Sequence, residues 1–297
     1  MMIRGVGHLQ MVSLKRCCRS VHHCSALIYR QHSRDVDTVR MEEMMMRPVR
    51  GHDVRLKMLA APVNPADINM IQGSYPILCP LPAVGGNEGV GEVLEVGSDV
   101  TALKPGDWVV PIDAGFDHDV CVSGTWRTGV VCVDEDLMSV CKHISVLGAA
   151  TVFVNPCTAY RMLKDFQALT PGCTVLQNGS NSAVGRSVIQ MALALGLHTI
   201  NIIRDRPNCA ELIQELKSLG ADYVLTEEEV MSPGLHEIFK EVPKPKLGLN
   251  CVGGLSGGLV LSNLEYGFIL LTLLFSSLRD MLTSLMFSDV PSVMEVR

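Results

Sequence analysis

Three strings in this 297-residue sequence have the residue types and spacing to do chemistry. The first is Asn178-Gly-Ser-Asn-Ser-Ala-Val-Gly185, between the short strand pattern Thr174-Val-Leu-Gln177 and a helical pattern. A dinucleotide fold needs a tight turn there, close backbone approach to a pyrophosphate, and a small residue against the following helix. The usual G-x-G-x-x-G spacing falls on Ser180, Ser182 and Gly185, of which only the last is glycine. Small residues throughout still let amides and hydroxyls face a phosphate at a helix N-terminus. The second string is Arg204-Asp205-Arg206, at the end of the next apolar run, Thr199–Ile203. An NAD enzyme places an acid about twenty residues after the glycines to hold the ribose 2′-hydroxyl. Two guanidiniums at that point suit a 2′-phosphate instead, which favours NADPH; the alternative is a solvated surface pair flanking Asp205. The third is Ala61–Tyr75, ending in a tyrosine that either packs in a loop or donates a proton.

Positioning such groups takes alternating strands and helices. Thr174–Asn178 reads as a buried strand. Ala183–Leu195 reads as a helix, with Val184, Val188, Met191, Ala192 and Leu195 at helical spacing. Thr199–Ile203 is the next strand, and Cys209–Leu219 a second amphipathic helix ended by Gly220. Ala221–Leu225 and Lys246–Val252 continue the alternation, which predicts βαβ units and a parallel sheet. Upstream the pattern differs. Val54–Ala60 alternates polar and apolar, Gly89–Gly97 is a second strand, and Lys104-Pro-Gly-Asp107 turns into Trp108-Val-Val-Pro111. Pro62, Pro65, Pro76, Pro80 and Pro82 break any long helix between them. The class is α/β, with a β-rich, barrel-like half preceding a parallel one.

With 47% hydrophobic and 19% charged residues the chain can fill two cores, which excludes wholesale disorder. The net charge of −6 argues against nucleic acid as a partner. A mean hydropathy of +0.26 prompts a search for membrane spans. The charge-free stretch between Lys246 and Glu265 holds Asn250, Ser256, Asn263 and five glycines, and Tyr266–Leu278 is too short to span a bilayer. No membrane span is expected. Eleven scattered cysteines without a Cys-x-x-Cys pair point to reduced thiols rather than a disulfide framework or zinc knuckles. Residues 1–34 contain no acid but carry Arg4, Lys15, Arg16, Arg19, Arg30 and Arg34 among serines and apolar residues. That is the composition of a mitochondrial transit peptide, addressed to the matrix, or of an untargeted tail.

Four strings together resemble the zinc-free medium-chain dehydrogenase/reductases, and among these the mitochondrial trans-2-enoyl-CoA reductases. They are Ala61–Tyr75, Pro82-Ala-Val-Gly-Gly-Asn-Glu-Gly89, Lys104-Pro-Gly-Asp-Trp108 and Asn155-Pro-Cys-Thr-Ala-Tyr-Arg161, with Gly124–Arg127 adding to the match. The resemblance implies a GroES-like catalytic domain over 35–155 and a Rossmann-type doubly wound nucleotide domain over 156–254. It implies NADPH-dependent reduction of an enoyl thioester carried on coenzyme A or acyl-carrier protein, within mitochondrial fatty acid synthesis, by a homodimer. Tyr75 matches the family's proton donor; a phenol, with an ordinary pKa near 10, is a fit acid for an enolate. Asn155 matches a cofactor-binding asparagine. Asn181, Ser182, Ala183 and Val184 match the pyrophosphate loop, with alanine where close relatives have glycine. Arg204, Asp205 and Arg206 match the stretch that recognises the 2′-phosphate. In zinc-dependent relatives a Gly-His-Glu string supplies a metal ligand; here Gly86-Asn87-Glu88 has asparagine there, so no metal is expected.

Two departures stand out. Residues 116–123, before Gly124, are longer than relatives allow, and His118 lies there between two aspartates. From Leu255 to Arg297 the sequence leaves the family pattern altogether. Gly267–Phe275 supplies one replacement strand at most, so the nucleotide sheet is expected to be incomplete and its dimer edge altered. Two other readings stay open: a quinone or activated-alkene reductase, whose product solvent can protonate, and a truncated isoform that binds without catalysis.

Overall fold

The computed structural model describes residues 22–76, 78–112, 124–232, 234–273 and 293–296. The β-rich half begins with β1 (His22–Tyr29), β2 (Val39–Met46) and β3 (Asp53–Ala60), followed by helix α1 (Pro65–Gln72). Then come β4 (Ala83–Val84), β5 (Val90–Val96), β6 (Trp108–Pro111), β7 (Gly129–Val133), β8 (Leu137–Val140) and helix α2 (Val146–Ala150). An antiparallel five-stranded sheet runs β7-β3-β5-β6-β8. On β3 the inward Val54 and Leu56 join Val93, Val109 and Val130 in the core, while the outward Arg55 pairs across the strands with Glu95 at 3.0 Å. This is the period-2 pattern read from the sequence.

Strand β1 lies between β2 and β4 in a second sheet. Its Cys24, Ala26, Ile28 and Tyr29 are buried, and Leu27 accepts the Gly85 amide. The leader boundary at residue 34 is therefore corrected: residues 22–29 are built into the fold. The absence of acids reports composition, whereas inclusion in a sheet depends on the alternation of buried side chains, which composition does not register. Residues 1–21 lie outside the described residues. Helix α1 also escapes the proline argument. Pro65 opens it, where no amide partner is needed, and Gly73 closes it at a left-handed φ of 71°.

The second half is laid out as α3 (Asn155–Lys164), β9 (Thr174–Gln177), α4 (Ala183–Ala194), β10 (His198–Ile203), α5 (Cys209–Ser218), β11 (Tyr223–Thr226), α6 (Glu227–Met231), α7 (Gly234–Glu241), β12 (Leu247–Asn250), α8 (Gly254–Ser262), β13 (Ile269–Leu273) and β14 (Val293–Val296). All six strands are parallel, in the order β11-β10-β9-β12-β13-β14. Strand β9 is buried along its whole length, and helices cover the sheet through Val188, Ile189, Ala192 and Val260. Each of the valines and Ile189 contributes roughly 1.5–3 kcal/mol of burial. The sheet corrects the expectation of an incomplete C-terminal edge. The divergent tail supplies β13, in register with β12 from Leu247–Ile269 to Asn250–Thr272, and then β14 beside it. A parallel sheet recruits a strand by apolar surface and backbone pairing, so a different sequence can fill the same slot. Among the described residues no helix is long and apolar enough to cross a membrane.

Candidate functional site

A cleft of about 290 Å³ opens where β9 and β12 end, at the point where the strand order reverses. This switch point is where open α/β sheets bind ligands. One wall is the loop from β9 to α4. Gly179 turns it at φ 58°, and a Cβ there would lie 2.4 Å from Cys251 Sγ. Ser180 is fully buried, its hydroxyl donating to the carbonyls of Gln177 (3.2 Å) and Ile202 (3.1 Å). Ser182 caps α4 by accepting the Gly185 amide at 3.1 Å. A Cβ on Gly185 would sit 2.7 Å from Ser180 Cα, so α4 approaches the loop as only glycine allows. The left-handed turn thus falls on Gly179, one residue before the first slot of the expected spacing. Gly185 fills the third slot as anticipated. The helix N-terminus turns unpaired amides and a positive dipole end toward the cleft.

The opposite wall comes from the β-rich half and the junction. Val63, Asn64, Pro65 and Ala66 at the start of α1 face Val154 and Asn155 at the start of α3. Asn155 Nδ2 donates to Asn64 Oδ1 at 2.9 Å, Asn64 Nδ2 donates to Glu88 at 2.8 Å, and the Val154 amide donates to the other Glu88 oxygen at 2.8 Å. Glu88 is 1% exposed. Beside it Asp67 is also buried, and burial pushes its carboxyl up, against hydrogen bonds from the Asn64 amide and Asn87 that pull it down. On the sheet side, Asn178 Nδ2 donates to Asn250 Oδ1 at 2.7 Å, and the Cys251 amide donates to Asn178 Oδ1 at 2.8 Å. Burial raises the Cys251 thiol.

Of the residues singled out from the sequence, Asn155, Ser182, Ala183 and Val184 line the cleft together. Asn181 sits in the same loop, its carbonyl accepting from Arg186 Nε at 3.0 Å. Arg204, Asp205 and Arg206 follow β10, exposed, two residues past the Ile202 carbonyl that holds Ser180. Asp205 accepts the Arg206 amide at 2.8 Å. Tyr75 is not in the cleft wall. It is half-buried in the loop after α1, at the far end of that helix from Asn64, with its amide on the Asn69 carbonyl at 3.2 Å. Asn87, in the histidine's place, donates to Asp67 and to Met70 Sδ (3.2 Å). Among the described residues no group of three His, Cys, Asp or Glu is placed to hold a metal. The segment 116–123 with His118 lies outside the described residues.

The sequence assigns no role to Asn64 and Asn178, although both lie in the strings it singles out, nor to Asn250. The last two stand at the carboxyl ends of strands it did identify, so position alone could have flagged them.

Residues 50–155 match the alcohol dehydrogenase GroES-like domain. The chain is 55% identical over 250 residues to the mitochondrial enoyl-[acyl-carrier-protein] reductase of Rattus norvegicus, a match covering 84% of this chain and 65% of that protein. The Xenopus tropicalis protein of the same name is 51% identical over 246 residues, covering 83% of this chain and 68% of its own length. Among solved structures, the complex of Etr1p with NADP and crotonyl-CoA aligns with a TM-score of 0.75 at 36% identity, covering 84% of this chain and 75% of that one. The chain thus spans a little under two thirds of the rat relative's length.

Proposed function

Because this chain belongs to the mitochondrial enoyl-[acyl-carrier-protein] reductase family, we propose that it reduces trans-2-enoyl thioesters with NADPH inside the mitochondrion. The observation that carries this reading is the cleft at the strand-order reversal, which gathers Asn155 and the Ser182–Val184 turn at one helix N-terminus. The residues fit the cofactor. The close approach at Gly185, where a Cβ would meet Ser180 backbone, brings the start of α4 tight against the loop that lines the cleft. The polar lining of Gln177, Asn178, Asn155 and Asn250 suits a ligand rich in hydroxyls and amides. The names of the relatives and the NADP and crotonyl-CoA held by Etr1p point the same way.

The loop amides and the start of α4 hold a pyrophosphate, and Arg204 and Arg206 take the 2′-phosphate as charge-assisted hydrogen-bond donors. Asn155 orients the cofactor at the junction of the halves. NADPH supplies, when bound, the hydride that the substrate β-carbon needs. Tyr75 supplies the proton for the α-carbon, and its half-exposed position lets the phenolate be reprotonated by solvent. The acyl group is carried on coenzyme A or acyl-carrier protein. The direct test is a fluorescence titration of the purified chain with NADPH and NADH. Saturable binding with a preference for NADPH supports the reading, and a folded protein that binds neither sinks it.

A further inference from the structure

We propose that Glu88 and Asn64 are positioning residues that decide which atom Asn155 offers to the cleft: its acceptor oxygen, for a hydroxyl or amide N–H of the bound cofactor. This rests on the reading of the cleft as the NADPH site. Taken alone, an asparagine amide can sit either way round, presenting donor or acceptor. Here the orientation is dictated from one end. The Glu88 carboxylate is acceptor-only when ionised, and two donors converge on it, the Val154 amide and Asn64 Nδ2, both at 2.8 Å. With Nδ2 committed to Glu88, Asn64 can turn only Oδ1 toward Asn155. That oxygen accepts Asn155 Nδ2 at 2.9 Å. Asn155 Oδ1, the acceptor of a residue that lines the cleft, is then turned away from Asn64.

The same carboxylate fixes the main chain. Val154 immediately precedes Asn155 at the start of α3, while Glu88 belongs to the β-rich half, where its own carbonyl accepts the Thr125 hydroxyl at 2.7 Å. Glu88 thus ties the two halves together at the residue that meets the ligand. At 1% exposure it sees almost no water, so neither donor has a substitute acceptor. A hydroxyl or amide N–H that reaches this oxygen finds an acceptor already oriented for it.

Glu88→Gln sets an NH2 group against one of the two donors. Asn64 relieves the clash by turning over, which presents its Nδ2 to Asn155 and consumes Asn155 Oδ1. The expected result is a rise of about tenfold in the NADPH Kd, the scale of one misdirected buried hydrogen bond, with the KM for the enoyl thioester unchanged. The double variant Glu88→Gln/Asn64→Asp restores the polarity. Its new glutamine accepts from Val154 and donates to the new aspartate, and that aspartate in turn accepts from Asn155. It should regain most of the lost affinity, and it serves as the test form if the single variant does not fold. A second readout needs no cofactor. The side-chain amide protons of Asn155, followed by NMR in the free protein, should exchange slowly in wild type, at least about tenfold faster in Glu88→Gln, and slowly again in the double variant. Unchanged exchange in Glu88→Gln, unchanged NADPH affinity in a folded Glu88→Gln, or a double variant no better than the single each overturns the proposal. If wild type binds no NADPH, the functional reading fails, and the exchange rates still decide whether the relay exists.

Discussion

The close approach of α4 to the phosphate loop makes Gly185→Ala the most informative single substitution in the nucleotide half. The added Cβ would lie 2.7 Å from Ser180 Cα, 2.7 Å from its carbonyl oxygen and 2.8 Å from its carbonyl carbon, all backbone atoms. Ser180 cannot retreat. It is fully buried, and its hydroxyl is held by two carbonyls, with its amide on the Ile202 carbonyl at 3.3 Å. The helix cannot retreat freely either, since the Gly185 carbonyl accepts Gln177 Nε2 at 3.0 Å and its amide is capped by Ser182. Overpacking of this kind costs about 1–3 kcal/mol. Alanine returns up to about 1 kcal/mol through helix propensity. The net is a loss of up to about 2 kcal/mol, or a Tm lowered by up to roughly 8 °C in a domain of this size. Thermal unfolding followed by circular dichroism measures it, and an NADPH titration of the same sample should show weakened binding because the loop amides are displaced. A variant as stable as wild type, binding NADPH equally well, would refute the claim that this contact shapes the cleft.

Replacing Arg204 or Arg206 with alanine should raise the NADPH Kd about tenfold each and leave NADH affinity nearly unchanged; parallel titrations decide, and an equal loss for both cofactors contradicts the assignment. The Arg186 guanidinium beside Glu215 joins α4 to α5 and holds that carboxyl below its usual range. A carboxyl lowered in the folded state stabilises above its unfolded pKa and loses that contribution as pH falls through the folded one. The Tm gap between wild type and Glu215→Gln should therefore be present near neutral pH and close below the ordinary carboxylate range, whereas a gap independent of pH refutes the pairing. Cys24 is buried in β1 and burial pushes its thiol up, while Cys141 and Cys157 are exposed. Site-resolved alkylation of the native protein should label the latter two and spare Cys24 until unfolding; early labelling of Cys24 would remove β1 from the fold.

The parallel half was legible because its elements carry their own signals. Strand β9 reads as a short β stretch because it follows the turn Thr170–Cys173 and precedes a helical pattern, and α4 and α5 repeat their apolar residues at helical spacing. The β-rich half was legible only where one face is solvated, as on β3. Strand β1 was hidden behind a compositional reading of residues 1–34, and α1 behind prolines that in fact begin it. In the site, the loop and Asn155 could be placed from local strings. The Glu88–Asn64–Asn155 relay could not, because its members lie 24 and 91 residues apart and no periodicity links them. Of the two tail strands, β13 falls within Gly267–Phe275, which the sequence offers as a strand, whereas β14 carried no such signal. Pairing in a parallel sheet is made by backbone, so β14 joins β13 without a side-chain pattern that a sequence displays.

We propose that this chain's residues carry out proton-coupled reduction of an enoyl thioester. Oxidation of NADPH in the presence of a 2-enoyl-CoA, compared between wild type and Tyr75→Phe, tests it most directly. Turnover is expected in wild type, with a fall of roughly 10²-fold or more in kcat for the phenylalanine variant, the usual contribution of a positioned acid, and NADPH affinity retained. Equal turnover by the two proteins would contradict Tyr75 as the proton donor and turn the reading toward a reductase whose product is protonated by solvent.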